Sequence, residues 1–372
     1  MFTEEKKVEY IELIYDLIFV YLIGQSNELL HEFEGGFFSA GTYLTYLLST
    51  VVILQIWYQS SLFINRYGSN SMLDYIGLFI NMYLLYFMAT GTRADWDNYY
   101  MRYNIAWGLI LLNLAVQYYL QYRKRSKTAP WELAHIRSRI WLLLVQAIMI
   151  FVSIPFYFLA HFPLSWISLI LGFIGSVFTR KIDSLVPVNF EHLTERVMLY
   201  IVLTFGEMIV AISAYFNGAF SLSSGYYSLL AFLIVVGLFL SYGYLYDHVI
   251  DRSLHNTGSV YMMLHIGLLV AMNNITAALT FMRRPEVDAI SKNILITVSF
   301  LVFFLFLFLI SCYAKECDKP KKPLILKMSG ASALFVLGMI LLYNNGFFSI
   351  ALTVLYVFSI LGMLIRAHKS PI

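Results

Sequence analysis

Residues 10–23 read Tyr10-Ile11-Glu12-Leu13-Ile14-Tyr15-Asp16-Leu17-Ile18-Phe19-Val20-Tyr21-Leu22-Ile23, an apolar run broken only by two acids four residues apart. About 20 mainly apolar residues in helical form cross roughly 30 Å of hydrocarbon, and runs of that kind start near Tyr10, Ala40, Ser71, Met101, Ile140 and Pro163. After a polar connection from Arg180 to Arg196, six more start near Val197, Gly225, Gly258, Ser291, Leu324 and Gly346. The pattern predicts an all-α polytopic integral membrane protein of about 12 transmembrane helices.

Composition agrees. The 372 residues are 60% hydrophobic, 17% aromatic and only 13% charged, whereas soluble domains carry about 25% charged residues. A net charge of +3, spread over short loops and forming no stripe, argues against nucleic acid as a partner. Cys312 and Cys317 are too few for a disulfide framework or a zinc site, so no metal and no cofactor is expected. His-Glu-x-x-His, Gly-x-Ser-x-Gly and Walker signatures are absent, so no catalytic residue is assigned and the residues favour a non-enzymatic role. Met1 to Lys7 lead into an acid-bearing apolar run without a small-residue cleavage site, so the first helix is expected to persist in the mature chain.

Positive loops resist translocation. With the N-terminus inside, all of the 25 Lys and Arg except Arg93, Arg102, Arg283, Arg284 and Lys292 fall on one side, which predicts a plasma-membrane protein with both termini cytoplasmic. The two halves echo each other. Tyr58 precedes Asn65-Arg66 as Tyr244 precedes Asp251-Arg252, and Glu12 precedes Gly24-Gln25 much as Glu195 precedes Gly206-Glu207. This suggests a 6+6 parallel repeat, residues 1–180 and 181–372, within one membrane domain.

Ionisable groups in hydrocarbon cost roughly 2.5–3.5 kcal/mol each, so each one asks for a partner or a function. Glu12 and Asp16 share a helical face, and Arg66, at the end of the second run, is the expected partner of that pair. Glu207, beside Gly206, is expected near the midplane, where it could bind and release protons or stay neutral as a hydrogen-bond donor to a neighbouring helix. Glu195 and Arg196 are expected near the interface, paired with Asp251 and Arg252, and His192 completes the segment. Asp247, His248 and His265 are a weaker candidate relay. Asn81, Asn104, Asn113, Gln117 and Gln146 would serve a polar path or interhelical hydrogen bonds equally well.

Val8-Glu-Tyr-Ile-Glu12-Leu-Ile-Tyr-Asp16-Leu-Ile-Phe-Val20, Asn65-Arg66, and His192-Leu-Thr-Glu195-Arg196 running on to Gly206-Glu207 together resemble the bacterial low temperature requirement protein A family over nearly the whole chain. The chain departs in Thr204-Phe205 and in having only Trp57 where the family carries paired tryptophans. The resemblance implies a multi-pass protein of the bacterial plasma membrane and no established substrate or catalytic residue.

Three functions fit these residues. A secondary transporter of an unknown small solute, coupled to protons, would use Glu12, Asp16 and Glu207 with their arginines. An intramembrane or lipid-modifying enzyme would use Asp16, His192, Glu195 and Arg196. A sensor or scaffold would use the charges only to hold helices. Membrane lipids are the expected partners, and a homo-oligomer is compatible with the sequence.

Overall fold

The computed structural model describes residues 7–31, 36–89, 96–125, 129–213, 215 and 221–368. Its helices are α1 (Tyr10–Asn27), α2 (Ala40–Tyr67), α3 (Met72–Ala89), α4 (Trp96–Lys124), α5 (Pro130–Ala160), α6 (Ser165–Phe178), α7 (Arg180–Asp183), α8 (Phe190–Ser213), α9 (Leu222–Tyr244), α10 (Ser259–Phe281), α11 (Ala289–Ile310), α12 (Lys322–Leu341) and α13 (Gly346–His368). Among the described residues 10 of these are long and apolar enough to cross a membrane. The two remaining long helices fall short for different reasons. α4 carries Arg102, Asn104, Asn113, Gln117 and Gln121, and α6 has 14 residues, about 21 Å at the helical rise. The protein is therefore all-α and polytopic, with 10 to 12 spans.

Contacts divide the chain into two compact units. The first comprises Met1–Glu32, Ala40–Tyr200 and Ser253–Met263, and the second Phe33–Ser39, Ile201–Arg252 and Leu264–Ile372. α8 and α10 contribute residues to both.

α2 is the central helix of the first unit, buried without interruption from Val52 to Asn65. A helix covered on every side can carry polar residues only if each finds a partner inside, and α2 holds Gln55, Gln59, Ser60 and Asn65 there. α1 packs on α2 and α3, α3 on α4, and α4 on α5. Interhelical hydrogen bonds tie the layers: Gln55 Nε2 to Leu169 O at 2.7 Å, Gln59 Nε2 to Gln146 Oε1 at 2.9 Å, and Asn113 Nδ2 to Asn81 Oδ1 at 2.8 Å.

In the second unit α13 packs on α9 and α12. The approach of α9 and α13 requires Gly237, where a Cβ would come within 2.5 Å of Val357 Cγ1. Tyr226 stacks on Phe347 at 3.8 Å between ring centres and donates to its carbonyl oxygen at 2.8 Å, pinning the first turns of α9 and α13 together.

Candidate functional site

The site in the first unit is built from the last turn of α2 and the first turns of α1 and α8. Asn65, at the end of α2, clamps the residue that caps α8. Its Nδ2 donates to Asn189 O at 2.9 Å while its Oδ1 accepts from Asn189 N at 2.9 Å. Asn189 in turn accepts the His192 backbone N–H on its side chain at 3.1 Å, the usual device for satisfying an orphan donor of a first helical turn. α8 therefore starts in a fixed register, and His192 and Arg196, four residues apart, project from one face toward α1.

Arg196 is fully buried. Its Nη2 donates to Asp16 Oδ1 at 2.7 Å, its Nε to Asp16 Oδ2 at 3.2 Å and its Nη1 to Glu12 Oε2 at 2.9 Å. Trp57 Nε1 adds a third donor to Asp16, at 3.0 Å, and its ring stacks on Tyr200. His192 Nε2 lies 3.4 Å from Glu12 Oε1. Asn65 fixes the imidazole tautomer: its oxygen is committed to the Asn189 N–H, so its amide NH2 faces His192 Nδ1 at 3.0 Å. Nδ1 must accept, and the ring proton sits on Nε2, toward Glu12. Two carboxyl groups and the His192 imidazole thus meet one guanidinium in a site closed to water.

Beside this cluster a separate hydrogen-bonded row links α1, α2, α3 and α4. Tyr15 Oη lies 3.1 Å from Ser60 Oγ and accepts from Asn81 Nδ2 at 3.4 Å, and Asn81 is bonded to Asn113 as above.

Two pairings differ from the sequence expectation. Arg66 does not face Glu12 and Asp16; it donates to Val186 O at 2.9 Å and Thr257 O at 2.8 Å, holding the loops that lead into α8 and α10. Arg196 is fully buried and its acid partners are Glu12 and Asp16, because α8 begins at Phe190 and Arg196, in its second turn, faces α1. Asp251 and Arg252 belong to the second unit, where Arg252 rests over the Tyr246 ring at 5.0 Å. Glu195 is half-buried beside the cluster. Glu207 lies further along α8 in the second unit, half-buried, with no hydrogen-bond or ion-pair partner among the described residues. His265 Nε2 meets Tyr242 Oη at 3.2 Å and His248 packs edge-on against Tyr244.

Sequence reading missed a second buried cluster in the first unit. Asp183 receives Arg139 Nη2 on Oδ2, Thr179 Oγ1 on Oδ2 at 3.1 Å and His135 Nε2 at 3.1 Å from Oδ1. Tyr67 Oη lies 2.7 Å from His135 Nδ1. Burial alone would raise the Asp183 carboxyl, but the hydrogen bond from His135 and the charges of Arg139 and Arg66 outweigh it and hold the group down at about 2. Asn65, Arg66 and Tyr67 thus touch, in consecutive positions, one histidine, two loop carbonyls and the other histidine. The one sequence signal was an acid, Asp183, inside the basic stretch after Arg180. Among the described residues no group of three or more His, Cys, Asp or Glu could hold a metal ion.

The description of the bacterial low temperature requirement A protein family matches residues 7–363, and the chain belongs to that family. No curated protein and no solved structure matches it.

Proposed function

We propose that this integral membrane protein of the low temperature requirement A family is a proton-coupled secondary transporter of a small solute, with Glu12 as the group that takes up and releases the proton. The observation that carries this reading is the pair of buried acids on α1 that share the one guanidinium of Arg196. Asp16 accepts three N–H donors and is served as a carboxylate, and Glu12 accepts a guanidinium N–H and lies 3.4 Å from His192 Nε2. Glu12, unlike Asp16, thus has an imidazole beside its carboxyl group, a pairing suited to handing on a proton. The excess of Lys and Arg in the loops at this end supports an orientation with the cluster toward the cytoplasm of a plasma-membrane protein.

The enzyme reading needs reactive atoms that meet a substrate, and Asp16, His192 and Arg196 are all fully buried.

The test is proton movement by purified protein in liposomes under a pH gradient, with a panel of small solutes. Solute-dependent flux that Glu12→Gln abolishes supports the proposal. Flux that survives Glu12→Gln and is lost in Glu207→Gln would move the proton site to Glu207, and absence of flux with every solute would remove the transporter reading.

A further inference from the structure

A cavity of about 200 Å³ lies in the second unit where α9, α11 and α13 begin and α10 and α12 end. Tyr227, Lys292, Asn293, Tyr343, Asn344 and Ser349 supply its polar lining. It is smaller than the roughly 300–1,000 Å³ of sites that hold drug-sized ligands, and it has the size for a metabolite.

Among the described residues Lys292 is the one charged residue on the wall. Its ammonium donates to Arg284 O, which leaves two of its three N–H groups. The acids on the preceding loop, Glu286 and Asp288, act on it through space without closing an ion pair. Asp288 is occupied as the cap of α11, accepting Ser291 N at 2.8 Å and Ser291 Oγ at 2.9 Å, and Glu286 is exposed. The first turns of α11 and α13 open onto the same space, where their partial positive ends are set against the partial negative ends of α10 and α12, and Lys292 is left as the net attraction for an anion. Asn293, nine-tenths buried, and Ser349 contribute neutral hydrogen-bonding groups at the inner wall.

We propose that this cavity binds a small hydroxylated monocarboxylate, its carboxylate on Lys292 and its hydroxyl groups on the carboxamides and phenols around it. One ammonium and no guanidinium fits a single negative charge better than a phosphate dianion, which is typically met by arginine clusters. Among the described residues the wall carries no acid, so a ligand ammonium would find no carboxylate there, which argues against a free amino acid. The cavity sits at the end of α11 opposite Lys315, on the face expected to be external. The claim is about binding and stands apart from the proton role of Glu12.

The test is titration calorimetry of the full-length protein in nanodiscs of neutral lipid, with glycerate, gluconate, inorganic phosphate and serine as probes. Glycerate or gluconate should bind, Lys292→Met should weaken that binding about tenfold or more through loss of a charge-assisted contact, and serine and phosphate should bind more weakly than either. Gly346→Ala is the second variant. A Cβ there stands 3.3 Å from Tyr227 Oη on the cavity wall, so it should weaken binding while leaving the unfolding temperature unchanged. No carboxylate binding by the wild type, equal binding by Lys292→Met, or preference for phosphate would overturn the proposal. So would loss of carboxylate binding only when anionic lipid is added to the disc, which would assign the cavity to a lipid headgroup.

Discussion

Arg196 and Asp16, 180 residues apart in the chain, meet in a two-point contact with Nη2 on Oδ1 at 2.7 Å and Nε on Oδ2 at 3.2 Å. A guanidinium presents its donors as a fixed fork, so this pairing fixes the rotation of α8 against α1 as well as their approach. The third donor, Nη1, takes Glu12, and one cation organises both acids of the first helix.

Removing that cation should be costly. Arg196→Met would leave two carboxyl groups buried against an apolar side chain, a loss on the order of 3–5 kcal/mol for a broken buried pair. Arg66→Met removes bonds to the Val186 and Thr257 carbonyls and a through-space attraction to Asp183, and should cost about 1–3 kcal/mol. Thermal unfolding in detergent is expected to rank Arg196→Met well below Arg66→Met, and Asp16→Asn in the Arg196→Met background should recover part of the loss. The opposite ranking would restore Arg66 as the principal partner.

Asp183 gives a pH dependence of defined sign. Its folded value is held at about 2, below the ordinary 3.8, so the group stabilises the fold above about pH 4. That contribution, about 2 kcal/mol from the shift, fades as pH falls toward 2. The stability difference between wild type and Asp183→Asn should therefore be constant from pH 7 to 5 and shrink below pH 4, followed by unfolding midpoints across that range. A difference that grows on acidification would contradict the assignment.

The spacing of Glu12 and Asp16 revealed their shared face because a helix makes four-residue neighbours from sequence alone. Their partner was not legible in the same way. Which arginine reaches across depends on the start of α8, and Phe190-Glu191, ahead of the apolar run at Val197, gave little sign that helix already begins there. His135 and Asp183 were hidden for a related reason: they lie 48 residues apart, on helices whose contact is tertiary. The positions and number of the apolar runs were readable because bilayer thickness imposes length on each one separately. α4 and α6, the runs that fell short, are the ones where charge and amides or a short span dilute that signal.

Asn65 should act on both structure and proton position. Asn65→Ala removes the two bonds to the Asn189 backbone and the donor to His192 Nδ1, a loss on the order of 2–4 kcal/mol at about 1 kcal/mol per bond and more for groups left unsatisfied. Nitrogen-15 spectra of labelled histidine should show His192 as the Nε2–H tautomer in the wild type and a mixture of forms in the variant. An unchanged tautomer in Asn65→Ala would show that the ring is oriented from the Glu12 side without help from α2.

Glu207 is the acid for which structural and transport effects separate most clearly. On α8 the exposed positions Val202, Gly206, Ile209 and Val210 mark one face, and Thr204, Phe205 and Met208 are buried. Glu207 stands half-buried at the flank between them, with no described partner to lose, and a Cβ at neighbouring Gly206 would meet nothing within 4 Å. Glu207→Gln should therefore change stability by no more than about 0.5 kcal/mol, as for a substitution outside any buried network. Glu12→Gln disturbs the Arg196 and His192 contacts and should lower the unfolding temperature measurably. If Glu207→Gln is as stable as the wild type and yet transports no protons, its carboxyl has a functional role that packing does not explain. If it is destabilised as strongly as Glu12→Gln, the acid has a buried partner and belongs with the charges that hold the helices together.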